Sequence, residues 1–258
     1  MAKLPIRDLN VVRSEQVTPN MQRVTLGGAE LHNFPKNHEG AWIALLFPQV
    51  GETTVHKPRL LQPKNKRPRR RYYTIRNFNE KTKELTIDMV LHGSLLHTGV
   101  ASNWARKCRK GDNIVIAGPH LRKANKPTQM IDEDAAWFFL IGDMTALPAV
   151  ICNIELLPQN AKGYVVIEIC NESDKQELQC PQGIEIHWLI NPHPSQRNGD
   201  LANKVKSLPW LTGTPSIWSA CEQSTMYQLR YYFNEDRNIN LKENYIVSYW
   251  KIGQSKVK

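Results

Sequence analysis

The segment at positions 71–76 (RYYTIR) carries residue types suited to holding a planar, phosphorylated ligand. Its aromatic and β-branched content favours a strand with alternating side chains. One face would carry Arg71, Tyr73 and Ile75, and the other Tyr72, Thr74 and Arg76. A guanidinium pairs with phosphate, an aromatic ring stacks on a planar ring, and a hydroxyl bonds a ring heteroatom. A flavin nucleotide needs these three contacts, although a solvated basic edge strand would account for the same residues.

A turn and a helix that follow the next predicted strand, residues 85–91, offer a site for a pyrophosphate. His92 and Gly93 begin the turn, and Ser102 lies at or near the N-terminus of a helix that runs to residue 110. Backbone N–H groups without intrahelical partners, together with the helix dipole, favour an anion at such a position. The alternative is that Ser102 is only the N-cap of the helix.

Short strands in the first half of the chain indicate a β-barrel or sandwich. Besides the segment at 71–76, the predicted strands lie within residues 9–28 and at 41–47, 85–91 and 113–117, the last of which ends before Gly118 and Pro119. The stretch from His56 to Arg70 is rich in proline, lysine and arginine and has no acidic residue, so we expect an exposed loop there.

The second half alternates apolar strands with helices, which is the pattern of a parallel α/β sheet. The predicted strands are residues 136–142, 163–171, 184–190 and 216–220, and the predicted helices are 146–157 and 222–233. Ligands bind such sheets beyond the carboxyl ends of the strands, which places residues 142–145 and 220–222 at a site. The turn after Gly142 lacks the G-x-G-x-x-G pattern, so the sequence does not by itself establish dinucleotide binding.

The net charge of +10 is distributed unevenly over the 258 residues. Residues 1–130 carry 23 Lys and Arg against 9 Asp and Glu, a net charge of +14, whereas residues 131–258 carry 11 against 15, a net charge of −4. This asymmetry predicts a domain boundary near residue 130 and an anionic partner for the first half. Nucleic acid is one partner that so basic a domain could bind.

Composition excludes several other classes of protein. The sequence has no run of ~18 apolar residues and no apolar signal region at its N-terminus, so we expect a cytoplasmic location and no membrane. Five scattered cysteines without a Cys-x-x-Cys pair argue against a disulfide framework or a metal cluster. The spacings of His92 with His97 and of His187 with His193 are not those of a zinc site, and we expect no metal ligand or catalytic base.

An ordered set of short motifs along most of the chain resembles the siderophore-interacting protein family, which is related to the ferredoxin–NADP reductases. The motifs are Arg71-x-Tyr73-Thr74-x-Arg76, Asp88-x-Val90-x-His92-Gly93, residues 99–105, Gly111-Asp112, Gly118-Pro119, residues 142–149, Trp218-x-x-x-Glu222 and Tyr249-Trp250-Lys251-x-Gly253. The resemblance implies an antiparallel Greek-key β-barrel that binds FAD, residues 1–130. It also implies an α/β domain with a parallel sheet of the NAD(P)H-binding type, residues 131–258. The implied activity is the FAD-dependent reduction of ferric siderophores, which releases Fe(II).

The resemblance also assigns candidate site residues. The cofactor-binding candidates are Arg71, Tyr73, Thr74, Arg76, Asp88, Val90, His92, Gly93, Ala101, Ser102, Asp143, Thr145 and Ala146. The candidates for binding the ferric siderophore are Lys57, Arg122, Lys123 and Lys251. Three positions depart from the family pattern, which typically has proline at Val100, an acidic residue at Met144 and glycine at Cys221; the last two bear on nicotinamide binding.

The identity of the electron donor and of the acceptor stays open at this point. NADH, NADPH or a ferredoxin would each serve as donor, and we expect a monomer. Two alternatives compete with the siderophore reductase: a general flavin or ferredoxin-type reductase with another acceptor, and a basic nucleic-acid-binding barrel with an appended domain. The second alternative explains the charge of the first half but not the motifs that continue to Gly253.

Overall fold

The computed structural model describes residues 4–55, 67–93, 99–119, 131–132, 134–196 and 198–253. The chain divides between residues 128 and 129 into two compact units. The boundary predicted from charge and motifs, between residues 130 and 131, lies two residues from this division. In the part of the chain that the structure describes, no helix is both long enough and apolar enough to cross a bilayer.

The first unit is a closed barrel of six antiparallel strands, as predicted. The strands are β1 (Ile6–Thr18), β2 (Met21–Gly27), β3 (Trp42–Phe47), β4 (Arg69–Asn79), β5 (Glu84–Val90) and β6 (Asn113–Ala117), in the spatial order β1-β2-β5-β4-β3-β6. A single turn of 3₁₀ helix, Ala29–Leu31, follows β2. Because β4 begins at Arg69, the exposed loop predicted to reach Arg70 ends earlier than expected.

The period-two alternation of the strands fills the barrel. In β3, the side chains of Ile43, Leu45 and Phe47 belong to the barrel core, whereas Ala44 and Leu46 pack in a smaller cluster on the other face. One helix, α1 (Val100–Lys107), contacts β2 and β5, and its Trp104 ring lies 6.0 Å from the ring of Phe47. Phe47 pairs with Arg69, so α1 lies at the end of the barrel where β4 begins.

The second unit is a five-stranded parallel sheet with helices, which confirms the predicted α/β class. Its strands are β7 (Trp137–Asp143), β8 (Lys162–Ile169), β9 (Gly183–Ile190), β10 (Pro215–Glu222) and β11 (Tyr245–Trp250), in the order β11-β10-β7-β8-β9. The helices are α2 (Leu147–Ile154), α3 (Asp200–Ser207) and α4 (Gln223–Tyr231), with a 3₁₀ turn at Glu172–Asp174 and a π-helical turn at Tyr232–Asp236. Neither α3 nor β11 was predicted from the sequence.

In chain order, β8 and β9 are added on one side of β7, whereas β10 and β11 are added on its other side. The strand order therefore reverses between β7 and β10, which makes the carboxyl ends of these two strands a topological switch point. Gly142 lies at the end of β7, where a Cβ atom would come within 3.0 Å of Val150 Cγ2 and 3.1 Å of Ala146 Cβ. Because Gly142 has no side chain, α2 can start directly against β7. Dinucleotide-binding folds with the G-x-G-x-x-G pattern have their glycine-rich loop at this place.

Candidate coenzyme sites

The predicted ligand-binding segment of the first unit lies in β4, with the two faces expected from its sequence. Tyr73 pairs with Ile43 across the ladder and packs partly against the barrel core. Tyr72 lies on the opposite face, 43% exposed, with its ring 5.1 Å from that of Trp42 in an edge-to-face arrangement. Arg76 lies at a β-bulge, where the pairing of β4 with β5 shifts between Ile75 and Asn77.

Arg71 is a partly buried cation at the end of the barrel where α1 lies. It pairs with Leu45 of β3, and its Nη1 donates to the carbonyl oxygen of Arg70 at 2.8 Å. Burial lowers the pKa of Arg71, while Tyr73 acts to raise it and Arg69 to lower it. Burial also raises the pKa of Tyr73, so its phenol stays neutral. A partly desolvated guanidinium binds an anion more strongly than a fully hydrated one does.

Ser102 joins the end of β5 to the first turn of α1 instead of capping the helix. Its hydroxyl donates to the carbonyl oxygen of Val90 at 3.2 Å and accepts from the N–H of His92 at 3.1 Å. The N-cap residue is Gly99, which has no side-chain oxygen, so the interpretation of Ser102 as a simple N-cap is wrong. The first intrahelical bond runs from the N–H of Asn103 to the carbonyl of Gly99, which leaves the preceding N–H groups without helical partners.

The turn that leaves β5 is held by a second cation. Arg106 of α1 donates from Nη1 to the carbonyl of His92 at 3.4 Å and from Nη2 to the carbonyl of Gly93 at 3.1 Å. Gly93 has a φ of 69°, a left-handed conformation that glycine adopts without strain. The turn and the N-terminus of α1 are therefore fixed to one another by Ser102 and Arg106.

The Asp88 carboxylate is already engaged within the barrel. Its two oxygens accept from Nε and Nη2 of Arg23 on β2, at 2.7 and 2.8 Å, and the residue is 4% exposed. This bidentate pair links β2 to β5, two strands that also pair along their backbones. The side chain of Asp88 thus positions the strand that leads to the turn.

At the switch point of the second unit, the carboxylate of Asp143 accepts hydrogen bonds from three parts of the chain. Oδ1 accepts from the N–H of Thr145 at 2.9 Å and from its Oγ1 at 2.6 Å, and Oδ2 accepts from Nε1 of Trp250 at 2.6 Å. The N–H of Glu222 donates to the same carboxylate. Burial raises the pKa of Asp143 even though these donors act against the rise. Asp143 therefore organises the turn that precedes α2 and joins β7 to β10 and β11.

Glu222 holds the chain that follows β11. Glu222 is the N-cap of α4, and its carboxylate accepts from both the N–H and the hydroxyl of Ser224. It also accepts from the N–H of Ile252 at 3.1 Å. Burial acts to raise the pKa of Glu222, but the hydrogen bonds from Ser224, Ile252 and Thr225 outweigh burial and lower it. Lys251 is partly buried and lies between Trp250 and Ile252. Because Trp250 bonds to Asp143 and Ile252 bonds to Glu222, the chain is held on both sides of Lys251.

The neighbouring strand ends also carry polar groups that the sequence had not revealed. Glu168, the penultimate residue of β8, pairs with Asp143 in the ladder and forms a side-chain hydrogen bond with Asn191. Burial is the main cause that raises the pKa of Glu168 to about 7. A charged residue inside the otherwise apolar run at 164–169 is the sequence signal that could have identified it.

Two family models together match most of the chain. A siderophore-interacting FAD-binding domain matches residues 10–123, and a siderophore-interacting protein domain matches residues 135–253. The chain is also 32% identical over 256 residues to the ferric vibriobactin reductase ViuB of Vibrio cholerae, a match that covers 96% of this chain and 90% of that one. The chain belongs to the siderophore-interacting protein family.

Two further proteins are similar to this siderophore-interacting protein. It is 29% identical over 195 residues to an NADPH-dependent ferric-chelate reductase of Escherichia coli, which covers 73% of this chain and 72% of that one. The crystal structure of the siderophore-interacting protein SipS from Aeromonas hydrophila superposes with a TM-score of 0.82 at 28% identity, covering 98% and 94% of the two chains. The predicted family, the fold class and the FAD-binding role of the barrel are thereby confirmed.

The residues of this siderophore-interacting protein fit FAD in the first unit. A desolvated cation, a neutral aromatic ring and a helix N-terminus without a side-chain cap lie at or near one end of the barrel, as a dinucleotide with a pyrophosphate requires. The predicted candidates fall into two groups. In the first unit, the candidates on β4, on β5, in the turn after it and on α1 are Arg71, Tyr73, Thr74, Arg76, Asp88, Val90, His92, Gly93, Ala101 and Ser102. In the second unit, the candidates that follow or end the strands of the sheet are Asp143, Thr145, Ala146 and Lys251. Lys57, Arg122 and Lys123 lie outside the described residues.

Sequence reasoning missed several residues that support these two groups. Arg106, Glu168, Asn191 and the Trp250–Asp143 bond became visible only in the structure.

The three departures from the family pattern are accommodated locally. Met144 and Cys221 are both buried, and Val100 packs against the barrel core as the first residue of α1.

Proposed function

We propose that this protein is an FAD-dependent oxidoreductase that reduces ferric siderophores and releases Fe(II). The observation that carries the proposal is that the barrel, which matches the family's FAD-binding domain, has both a partly buried Arg71 and a helix α1 whose N-terminus has no side-chain cap. Two relatives are named as a ferric vibriobactin reductase and a ferric-chelate reductase, which supports the same reaction class.

The residues of the barrel would bind and orient the cofactor. Arg71 and the N–H groups at the start of α1 hold the pyrophosphate, because a fixed cation and a helix dipole both favour negative charge. Tyr73 stacks on the planar ring, and the hydroxyl of Thr74 bonds a ring heteroatom. Arg76, Val90, His92, Gly93 and Ala101 complete the proposed lining, while Asp88 and Ser102 position β5 and α1. FAD, when bound, accepts a hydride and passes its electrons on singly.

The ferric siderophore is the substrate and needs no ligand from the protein to its iron. Each Fe(III) takes one electron to become Fe(II), so one hydride equivalent serves two ferric complexes. Fe(II) is held less tightly by hard oxygen ligands, which allows the metal to leave. Lys57, Arg122, Lys123 and Lys251 are the cations that we propose for contact with the substrate, which is often acidic overall.

The electron donor that the second unit fits is a nicotinamide coenzyme at the carboxyl edge of its sheet. The strand order reverses at β7 and β10, where Asp143, Thr145 and Ala146 form the turn into α2. One relative is named as NADPH-dependent. A ferredoxin is the second donor that we propose, and the protein acts as a monomer in the cytoplasm.

The test is an anaerobic stopped-flow experiment on the FAD-loaded protein after photoreduction. Mixing with a ferric hydroxamate or catecholate siderophore should reoxidise the flavin, and a chelator should capture one Fe(II) per electron. A protein that reduces quinones and dyes but leaves ferric siderophores untouched would instead be a general flavin reductase. Protein that binds no flavin at all would refute the role of Arg71 and Tyr73 as well.

A further inference from the structure

Two aromatic side chains lie exposed on the face of the barrel that points away from its core. Trp42, the first residue of β3, is 37% exposed, and Tyr72 of β4 is 43% exposed. Their rings meet edge to face with centroids 5.1 Å apart, so each ring restricts the orientation of the other. Aromatic area that is exposed and held in this way is typical of binding surfaces.

This aromatic pair lies beside a residue that we assign to the flavin. Trp42 and Thr74 are partners in the ladder between β3 and β4, so their side chains share one face. The Cβ atoms of such partners lie about 4.5–5.5 Å apart. Thr74 is the residue whose hydroxyl we propose to bond a ring heteroatom of FAD. A ligand ring that stacks on Trp42 therefore lies next to the proposed position of the flavin ring, as direct electron transfer requires.

The same face carries a cation, and its strands carry no carboxylate. Arg70 precedes Tyr72 by two positions in β4, so its side chain emerges on the same face, about 7 Å along the strand. The sequences of β3, β4 and β6, at positions 42–47, 69–79 and 113–117, include no aspartate or glutamate. An anion on this face therefore meets a positive charge and no opposing charge from these three strands.

An aromatic pair next to a cation distinguishes the two main classes of siderophore. A catecholate is a planar aromatic ring with two negative oxygens, whereas a hydroxamate is a smaller, non-aromatic group with one. Three catecholates therefore leave a ferric complex negative overall, while three hydroxamates only cancel the charge of Fe(III). The catecholate complex offers rings to Trp42 and Tyr72 and negative charge to Arg70, and the hydroxamate complex offers neither.

We propose that Trp42 and Tyr72 form a platform on which an iron-bound catecholate ring stacks, with Arg70 as its counter-charge. The platform makes the protein favour catecholate over hydroxamate siderophores. The inference rests on the proposed function, because it names the substrate class of the proposed reductase and adds three residues to the cations proposed for contact with the substrate. None of the three residues is a ligand to the iron.

The experiment measures binding with Ga(III) in place of iron, because Ga(III) forms the same complexes and accepts no electron from a flavin. The FAD-loaded protein is titrated by calorimetry with the Ga(III) complexes of enterobactin, a tris-catecholate, and of deferrichrome, a trihydroxamate. The wild type should bind the catecholate complex more tightly by about tenfold or more. Trp42→Leu and Tyr72→Leu should each weaken catecholate binding by about three- to tenfold and leave hydroxamate binding within about twofold. Trp42→Phe keeps a ring and should keep most of the preference.

Further measurements separate the effect of the rings from that of the charge. The Ga(III) complex of citrate is anionic but has no aromatic ring, so Arg70→Gln should weaken its binding and Trp42→Leu should not. Tyr227→Leu is the matched control, since it removes a tyrosine of the second unit that is 61% exposed, and it should alter none of the affinities. Unchanged FAD content and urea midpoints show that each variant is folded.

Three results would overturn the inference. The first is a wild type that binds the catecholate and hydroxamate complexes with equal affinity. The second is wild-type affinity for the catecholate complex in both Trp42→Leu and Tyr72→Leu. The third is an equal loss of affinity for both complexes in Trp42→Leu. Because Ga(III) is not reduced, a protein that binds through Trp42 but is not reoxidised by ferric siderophores would lose the proposed function alone. A protein that ferric siderophores reoxidise but that shows no catecholate preference would lose this inference alone.

Discussion

Nε1 of Trp250 lies 2.6 Å from Oδ2 of Asp143, and this bond joins two strands that are not neighbours in the sheet. Trp250 ends β11 and Asp143 ends β7, with β10 between them. Together with the bond from Ile252 to Glu222, it fixes the chain around Lys251 to the switch point. Two buried carboxylates at the carboxyl edge therefore serve first as acceptors for the protein's own donors.

Trp250→Phe should destabilise the second unit by about 1–3 kcal/mol, because it keeps the aromatic ring but removes a donor from a buried carboxylate. Urea unfolding would measure the change. A double-mutant cycle with Asp143→Asn supplies the control, since partners in one hydrogen bond give non-additive effects. Strictly additive effects would contradict a direct bond between the two side chains.

Arg71→Ala should weaken FAD binding by about tenfold or more, because it removes a charge-assisted contact of roughly 1.5–3 kcal/mol. Flavin fluorescence on titration of the apoprotein would measure the dissociation constant, and Arg71→Lys should recover part of the affinity. Arg13→Ala is the matched control, since Arg13 lies on the same barrel and pairs with Glu84 at its surface. Equal affinity losses in both variants would indicate a general charge effect.

Ser102→Ala should lower the stability of the apoprotein by about 1–2 kcal/mol, because the hydroxyl bonds the backbone of both Val90 and His92. FAD affinity should fall as a consequence of the loosened turn. Ser102→Thr retains the hydroxyl and should behave more like the wild type. If Ser102→Ala loses FAD affinity with no change in apoprotein stability, the hydroxyl acts on the phosphates directly.

Stability should fall as the pH rises from about 4.5 to about 7 through the contribution of Glu168. In that range the folded protein keeps the proton of Glu168, whose pKa is raised to about 7, while the unfolded chain has lost it. Glu168→Gln removes this contribution, so the variant should gain stability relative to the wild type at pH 8 and not at pH 4.5. Urea midpoints at the two pH values would show it, and an equal gain at both would contradict the raised pKa.

The strands and their faces were predictable because side-chain periodicity is a local property. Alternation placed Tyr73 and Ile75 on one face of β4 and Tyr72 on the other, and the packing agrees. The near-continuous apolar run that became β7 indicated a strand covered on both faces. Neither α3 nor β11 was predicted, although β6, which has only five residues, was.

The sequence by itself determined the family and the barrel followed by a parallel sheet, and it predicted two candidate sites. Tertiary structure alone decided what each polar group does there. Ser102 bonds to β5 rather than capping α1, Asp143 bonds to a tryptophan 107 positions away, and Glu168 bonds to Asn191. A hydrogen bond forms only between groups that folding brings within about 3 Å of each other. The separation of two residues along the chain does not determine that distance.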